Sequence, residues 1–153
     1  MIIKKATELH AFLPIHQLNY KTFVEEIPHH QPNSEKSLID KFHNRNKYIV
    51  AKKDEQVIGM VCYITNRPFS LDTKVDALDK HLPEHTKLAE IRLLSVHHEE
   101  RKATIAYRLL QYLCQELIKE NVDAAVISGT TRQLRLYARM GFTPFGSLVG
   151  TPG

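Results

Sequence analysis

Several residues able to do acid–base or anion-binding chemistry fall close together between Glu90 and Ile118. The run Glu90-Ile-Arg-Leu-Leu-Ser-Val96 alternates with a period of two. That predicts a strand with Glu90, Arg92, Leu94 and Val96 on one face and Ile91, Leu93 and Ser95 on the other. A carboxylate on a mostly apolar strand is a candidate general base. The alternative is that Glu90 pairs with Arg92, two positions along on the same face, as a structural ion pair. Next comes a polar corner, His97-His98-Glu99-Glu100-Arg101-Lys102, leading into Ala103-Thr104-Ile105-Ala106. From there Ile105, Leu109, Leu113 and Leu117 recur every four residues, reinforced by Leu110 and Ile118, as in an amphipathic helix. The first amides of such a helix lack intrahelical acceptors and carry the positive end of its dipole. With Arg101 and Lys102 they are suited to a pyrophosphate.

The flanking sequence supplies elements that could position this unit. Ile2-Ile3-Lys4-Lys5 predicts a short first strand. A helix is expected from Thr7-Glu8 through Phe12, Ile15, Leu18, Phe23 and Val24, with Pro14 early enough for a first turn. Proline and histidine at 27–33 break regularity, and Ser34-Glu-Lys-Ser predicts a second helix through Leu38, Ile39 and Phe42. Tyr48-Ile-Val-Ala51 and Val57 to Ile64 read as an antiparallel hairpin around Lys52-Lys53-Asp54-Glu55. The excursion from Asn66 carries a short helix expected at Val75 to Leu82. Loops of this length are often functional, which makes Arg67, Phe69 and Asp72 candidates to face a substrate, with Glu25 and Glu26 near the end of the first helix. Beyond the central helix follow a strand at Ala124-Ala-Val-Ile127, a helix at Arg132 to Met140 closed by Gly141, and a last strand at Phe142 to Val149.

The chain of 153 residues fits one domain, 1–153. Its charged fraction of 25% and hydrophobic fraction of 42% are those of an ordinary globular protein. The apolar run around Met60 to Ile64 is too short to span a bilayer and the N-terminus lacks a secretory pattern, so a cytoplasmic protein is expected. A formal charge of +4 without a basic block argues against a nucleic-acid partner and for small anions or an acidic protein. Cys62 and Cys114 are in no CxxC pair and read as buried reduced thiols. His29-His30 and His97-His98 are adjacent pairs that point apart on an extended chain, and no HExxH pattern exists, so no metal is expected.

Glu90 to Val96, with His97 and Arg101-x-x-Thr104-x-Ala106, resembles the acyl-CoA-binding core of the GNAT N-acetyltransferase superfamily, whose signature is Gln/Arg-x-x-Gly-x-Gly/Ala. Thr130-x-x-Gln-x-x-Leu136-Tyr137-x-x-x-Gly141-Phe142 is similar to that family's Asn-x-x-Ala-x-x-Phe/Leu-Tyr-x-x-x-Gly-Phe pattern, in register and in the right order. Thr104 stands where the family has glycine, Lys102 where glycine is frequent and Thr130 where asparagine is usual. Glycine is preferred there because it lets backbone approach closely.

The resemblance implies an α/β (α+β) domain of the acyl-CoA N-acyltransferase fold. Its mixed, mostly antiparallel sheet would be splayed between strands 4 and 5 and flanked by about four helices. It implies acetyl-CoA, or another acyl-CoA, as co-substrate, and direct acetyl transfer to a primary amine of a small molecule or peptide. Glu90 matches the catalytic glutamate of the histone-acetyltransferase branch, and Tyr137 would donate a proton to the departing thiolate. Leu94 and Val96 would pair with the pantetheine arm through the main chain. Arg101, Lys102, Ala103, Thr104, Ile105, Ala106 and Thr130 would complete the CoA site, while Glu26, Arg67, Phe69 and Arg92 would face the acceptor. Residues 19–26 further resemble the start of the autoinducer-synthase branch. This keeps open acyl carrier protein as donor, docking on Arg101, Lys102, Arg108, Arg132, Arg135 and Arg139. A third reading is a non-catalytic accessory or sensor domain. The oligomeric state is open, a homodimer being one option. The family usually adds one more strand, so the chain is expected to be a piece of a longer polypeptide.

Overall fold

The two β-branched, aromatic runs at residues 48–51 and 57–64 form the middle of the sheet, as expected from their hairpin pattern. The computed structural model describes residues 1–75, 77–82, 84, 87–101, 103–129 and 134–145. Strands β1 (Ile2–Ala6), β2 (Lys47–Lys53), β3 (Gln56–Ile64), β4 (Leu88–Val96) and β5 (Ala124–Ile127) lie side by side in that order. The first three pairings are antiparallel and β4 pairs with β5 in parallel. Asp54 and Glu55 turn the β2–β3 hairpin with φ of 50° and 66°, the left-handed values that match the twist of the strands.

Helix α1 (Phe12–Tyr20), which runs on into a π-helical segment (Lys21–Glu26), covers one face of the sheet, and α3 (Ala103–Lys119) covers the other. The predicted stripe of α3, Ile105, Leu109, Leu113 and Leu117, is buried with Ile49, Val61, Tyr63 and Ile91. On the opposite face Ile15 and Leu18 of α1 pack with Tyr48, Val50, Met60 and Cys62. A third cluster, Ile64, Phe69, Leu71, Leu78 and Val126, forms beneath the β3–β4 excursion, which carries α2 (Leu71–Lys74) and a 3-10 turn (Leu78–His81). Helix α4 (Leu134–Arg139) ends at Gly141, whose φ of 91° lets the Phe142 amide return to the Tyr137 carbonyl at 3.0 Å. No helix among the described residues is long and apolar enough to cross a membrane.

β4 does not keep the strict alternation expected of it. Met60 lies opposite Ser95 but Cys62 lies opposite Arg92, so Leu93 and Leu94 together face Val61. This is a bulge, with Leu93 at φ 59°. Its extra residue reverses the phase of the strand. Ala89, Ile91 and Leu94 all join the α3 core, while Leu93 packs against the α1 cluster. Leu94 and Val96 therefore do not share the face of Glu90 and Arg92.

Other expectations need correction. The second helix expected from Ser34 is a series of turns: Asn33 bonds the Ser37 carbonyl (2.9 Å) and amide (3.4 Å), Asp40 Oδ2 accepts from the Phe42 amide (3.0 Å), and Leu38 N donates to the His16 carbonyl (2.9 Å). These bonds give the backbone partners other than its own helical carbonyls. The short helix expected at 75–82 is the 3-10 turn Leu78–His81, and a further short helix, α2, precedes it and ends before the extended Val75. Residues 142–145 are not a strand, and 146–149 lie outside the described residues.

Gly59 sets how closely α3 approaches the sheet. A Cβ there would meet Leu109 Cδ1 at 3.1 Å and Ile105 Cγ2 at 3.3 Å. Gly59→Val adds further methyls to that contact and should cost about 1–3 kcal/mol, read as a fall in melting temperature of roughly 2–10 °C, with Gly59→Ala at the small end because two side-chain methyls can yield.

Candidate active site

The two long excursions of the chain meet on β4 at one carboxylate and one guanidinium. Glu90 is 1% exposed. Its oxygens accept from the Ser70 amide (2.9 Å), the Ser70 hydroxyl (2.8 Å) and the Leu71 amide (2.9 Å), and Arg92 Nε lies 3.2 Å away. Arg92 then turns its two terminal nitrogens on Asp40, at 2.5 and 3.2 Å, and reaches Asn46 Oδ1 at 3.3 Å. Its guanidinium lies over the Phe42 ring, 4.7 Å from the centroid. Asn46 continues the chain of bonds to the Tyr48 hydroxyl (3.1 Å), which also meets His43 Nδ1 (2.9 Å).

Glu90, expected either as a general base or as the partner of Arg92, is surrounded by donors in this geometry. A carboxylate offers about four lone-pair directions, and four donors are already in place. The structure holds the ion pair with Arg92 that the two-residue spacing allows, and Glu90 anchors the α2 turn to β4. Arg92, expected to face an acceptor, is equally committed. So is Arg67, whose guanidinium pairs with Asp72 and Asp79, while Phe69 is buried in the third core cluster.

The cleft itself opens where the sheet separates. β4 and β5 pair only from Leu88↔Ala124 to Ile91↔Ile127, and β4 then continues to Val96. Among the described residues, the β5-side edge of residues 92–96 has no strand partner. The bulge at Leu93 lies on that open edge. At its far end Arg101 Nε donates to the Val96 carbonyl at 3.3 Å, and the same guanidinium pairs with Glu26 at the end of the π-helical segment. The two residues, expected in separate subsites, are thus brought together. Thr104 is exposed on the first turn of α3, whereas Ile105 and Ala106 are buried in the core. Ala103 opens the helix; Lys102, Thr130 and Arg132 lie outside the described residues.

Tyr137 is buried against the same α3 core, edge-on to Phe142 with ring centroids 5.8 Å apart. Burial pushes its phenol up to about 12. It therefore keeps its proton at neutral pH. Among the described residues its hydroxyl makes no hydrogen bond. Cys62 is buried and Cys114 is exposed on α3, against the expectation that both are buried; both are free. Among the described residues no group of three or more His, Cys, Asp or Glu is placed to hold a metal ion.

Sequence comparison places this splayed sheet and the helix beside it in a known family. The pattern of the Acetyltransferase (GNAT) family fits residues 12–142. The chain belongs to the GNAT acetyltransferase family. Solved GNAT-like structures agree in fold. A tetramutant of the BH1408 protein from Bacillus halodurans is 17% identical, with a TM-score of 0.70 over 99% of both chains. An aminoglycoside acetyltransferase, HMB0005, from an uncultured soil metagenomic sample is 12% identical, with a TM-score of 0.63 over 100% of this chain and 99% of that one. The AHL synthase LasI is 14% identical, with a TM-score of 0.71 over 92% of this chain and 77% of that one. No curated protein matches by sequence.

Within this GNAT fold, sequence reasoning missed Asp40, Asn46 and Ser70, which hold Arg92 and Glu90. The segment around Asp40 has helical spacing, so Asp40 reads as a surface residue. The one signal pointing to them is a carboxylate and a guanidinium on a strand that must be buried, since two such charges need partners.

Burial alone would raise the Asp40 carboxyl, but hydrogen bonding to Arg92 and its charge outweigh that and hold it below the usual range. The folded state therefore binds fewer protons than the unfolded one near the carboxylate range. This stability is fully present above the unfolded value, about 3.9, and is lost as pH falls through the lower folded value. Asp40→Asn should destabilise the protein by roughly 3 kcal/mol at neutral pH. Melting curves against pH should show that gap narrowing below about pH 4.

Proposed function

We propose that this protein is an N-acyltransferase that moves an acetyl group from acetyl-CoA to a primary amine of a small molecule or peptide by direct attack. The observation that carries this reading is the edge of β4 at residues 92–96, which has no strand partner among the described residues, carries the bulge and leads toward the start of α3. An amide-bearing pantetheine arm can add to such an edge as a strand would, with Leu94 and Val96 supplying main-chain groups. The first amides of α3, at residues 103–106, and the Arg101 guanidinium then lie toward its phosphates. Acetyl-CoA supplies the activated thioester. The amine nitrogen bonds to the carbonyl carbon, the carbon–sulfur bond breaks, the sulfur takes a proton from Tyr137, and the amine releases one to water, from which Tyr137 is reprotonated. In this reading Glu90 is a positioning residue that fixes the wall of the cleft through Ser70 and Leu71.

A second reading, transfer from acyl carrier protein, draws on the exposed guanidiniums of Arg101, Arg108, Arg135 and Arg139 and on the fold shared with an AHL synthase. An acidic carrier would dock there by charge.

Calorimetry with acetyl-CoA decides between them. Saturable binding of acetyl-CoA is expected, unchanged when Arg108 and Arg135 are both replaced by Glu. Absence of binding, with transfer from acylated carrier protein that those two replacements abolish, would establish the second reading. Tyr137→Phe should lower turnover by about 10²-fold or more while the melting temperature and acetyl-CoA affinity stay put. A large drop in melting temperature would instead make the hydroxyl a structural group.

A further inference from the structure

Beyond the end of β4 one ion pair joins the end of one helix to the approach of another. The π-helical segment continues α1, so that helix runs from Phe12 to Glu26 and stops where Ile27 becomes extended. Its last turn holds two carboxylates, Glu25 and Glu26, and no basic residue. The final carbonyls of a helix carry its negative end, so acids there are disfavoured unless a cation answers them. The cation that answers Glu26 is Arg101, seventy-five positions away in sequence. At the other end of the same segment, Lys21 Nζ lies 3.4 Å from His97 Nε2. Lys21–His97 and Glu26–Arg101 thus tie the end of α1 to the exit of β4 at two points.

Arg101 stands two residues before Ala103, where α3 begins with the positive end of its own dipole. A diphosphate approaching that helix start is drawn by the dipole and by the guanidinium, but the guanidinium already has a partner. Glu26 is also a like charge beside the place the diphosphate must take. The geometry allows an exchange. Arg101 Nε donates to the Val96 carbonyl at 3.3 Å, while the contact with Glu26 is made through Nη2, so one nitrogen can keep its bond as the other changes partner. Both side chains stay open to solvent, Arg101 at 44% and Glu26 at 27%. An ion pair so exposed adds little net stability, and a group of higher charge can replace it at a cost of only a few-fold in affinity. We propose that Glu26 is a built-in competitor for the donor's diphosphate, occupying Arg101 in the free protein and giving it up when the donor binds. This rests on the acyl-CoA reading above and adds to it the residue that limits donor affinity.

The test uses the full chain and inorganic pyrophosphate, which carries no thioester, so its outcome is separate from that of acetyl-CoA calorimetry. Pyrophosphate is titrated while NMR follows the Arg101 Nε–H and the Glu26 carboxyl carbon, with sodium chloride holding the ionic strength and therefore the screening constant. Both signals should move together and saturate, the Glu26 carbon reaching the position it has in Arg101→Gln. Pyrophosphate and acetyl-CoA should each bind about fivefold tighter to Glu26→Gln, and pyrophosphate about fivefold or more weaker to Arg101→Gln. A pair with only a structural role would instead lower the melting temperature of Glu26→Gln and leave both affinities unchanged. No pyrophosphate binding, a Glu26 signal that stays fixed as pyrophosphate saturates, or unchanged affinities in Glu26→Gln overturns the proposal, even where acetyl-CoA binds. Exchange by pyrophosphate without any binding of acetyl-CoA would uphold Glu26 as the competitor of a diphosphate and remove acetyl-CoA as the molecule that carries it.

Discussion

The guanidinium of Arg92 is the group on which the arrangement of the cleft depends. It lies on the last antiparallel strand before the sheet separates, and it faces two carboxylates brought by different excursions, Asp40 from residues 28–46 and Glu90 on its own strand. Glu90 passes the restraint on to Ser70 and Leu71, the start of the second excursion. A lysine could not replace it. A planar fork that bonds one carboxylate through two nitrogens, bonds another through a third and stacks on Phe42 is a shape that an ammonium on a flexible stem does not have. Because all three charged groups are almost fully buried, removing any one leaves the others uncompensated, which is far costlier than the pair is worth in isolation.

From that fixed point the cleft follows by simple geometry. The bulge at Leu93 turns the end of β4 so that Leu94 and Val96 serve the α3 core, while among the described residues no strand pairs with the β5-side edge beyond Ile91↔Ile127. Gly59 allows α3 to lie close on β3 opposite Val96, and so brings the start of α3 beside the open edge. Arg101 closes the corner by bonding the Val96 carbonyl and Glu26 together. Each contact belongs to the packing of the domain, yet together they leave one strand edge and one helix start facing the same space.

The order of strands and helices was legible because period-two and period-four patterns are local. The α3 stripe and the β2–β3 hairpin were read correctly for that reason, and the motifs around Arg101 and Tyr137 led to the family. What failed was set by distant contacts. Nothing in Leu93-Leu94 signals a left-handed residue, since leucine rarely adopts it and only the surrounding sheet imposes it. The segment after Ser34 has helical spacing, but Asp40 is drawn to Arg92, fifty-two positions away, and tertiary bonding overrode propensity. Glu90 was correctly singled out as unusual. Its partners, the Ser70 and Leu71 amides and the Ser70 hydroxyl of a distant turn, are not visible in a sequence.

The two polar layers on this face of the sheet differ in a way that separates structure from function. The Arg92 network is satisfied at almost every atom, and such networks rigidify and specify one arrangement. One helical turn from where it reaches His16, Asn19 is just as buried and, among the described residues, has no partner at either end of its amide. A buried amide left without partners costs stability that an apolar side chain of the same shape would not. Groups kept unsatisfied at the expense of stability are the ones a ligand can complete. The wall locked by Arg92 and the α1 side chains that lack partners among the described residues thus lie on the same face of the sheet, the one packed against Tyr48, Met60 and Leu93.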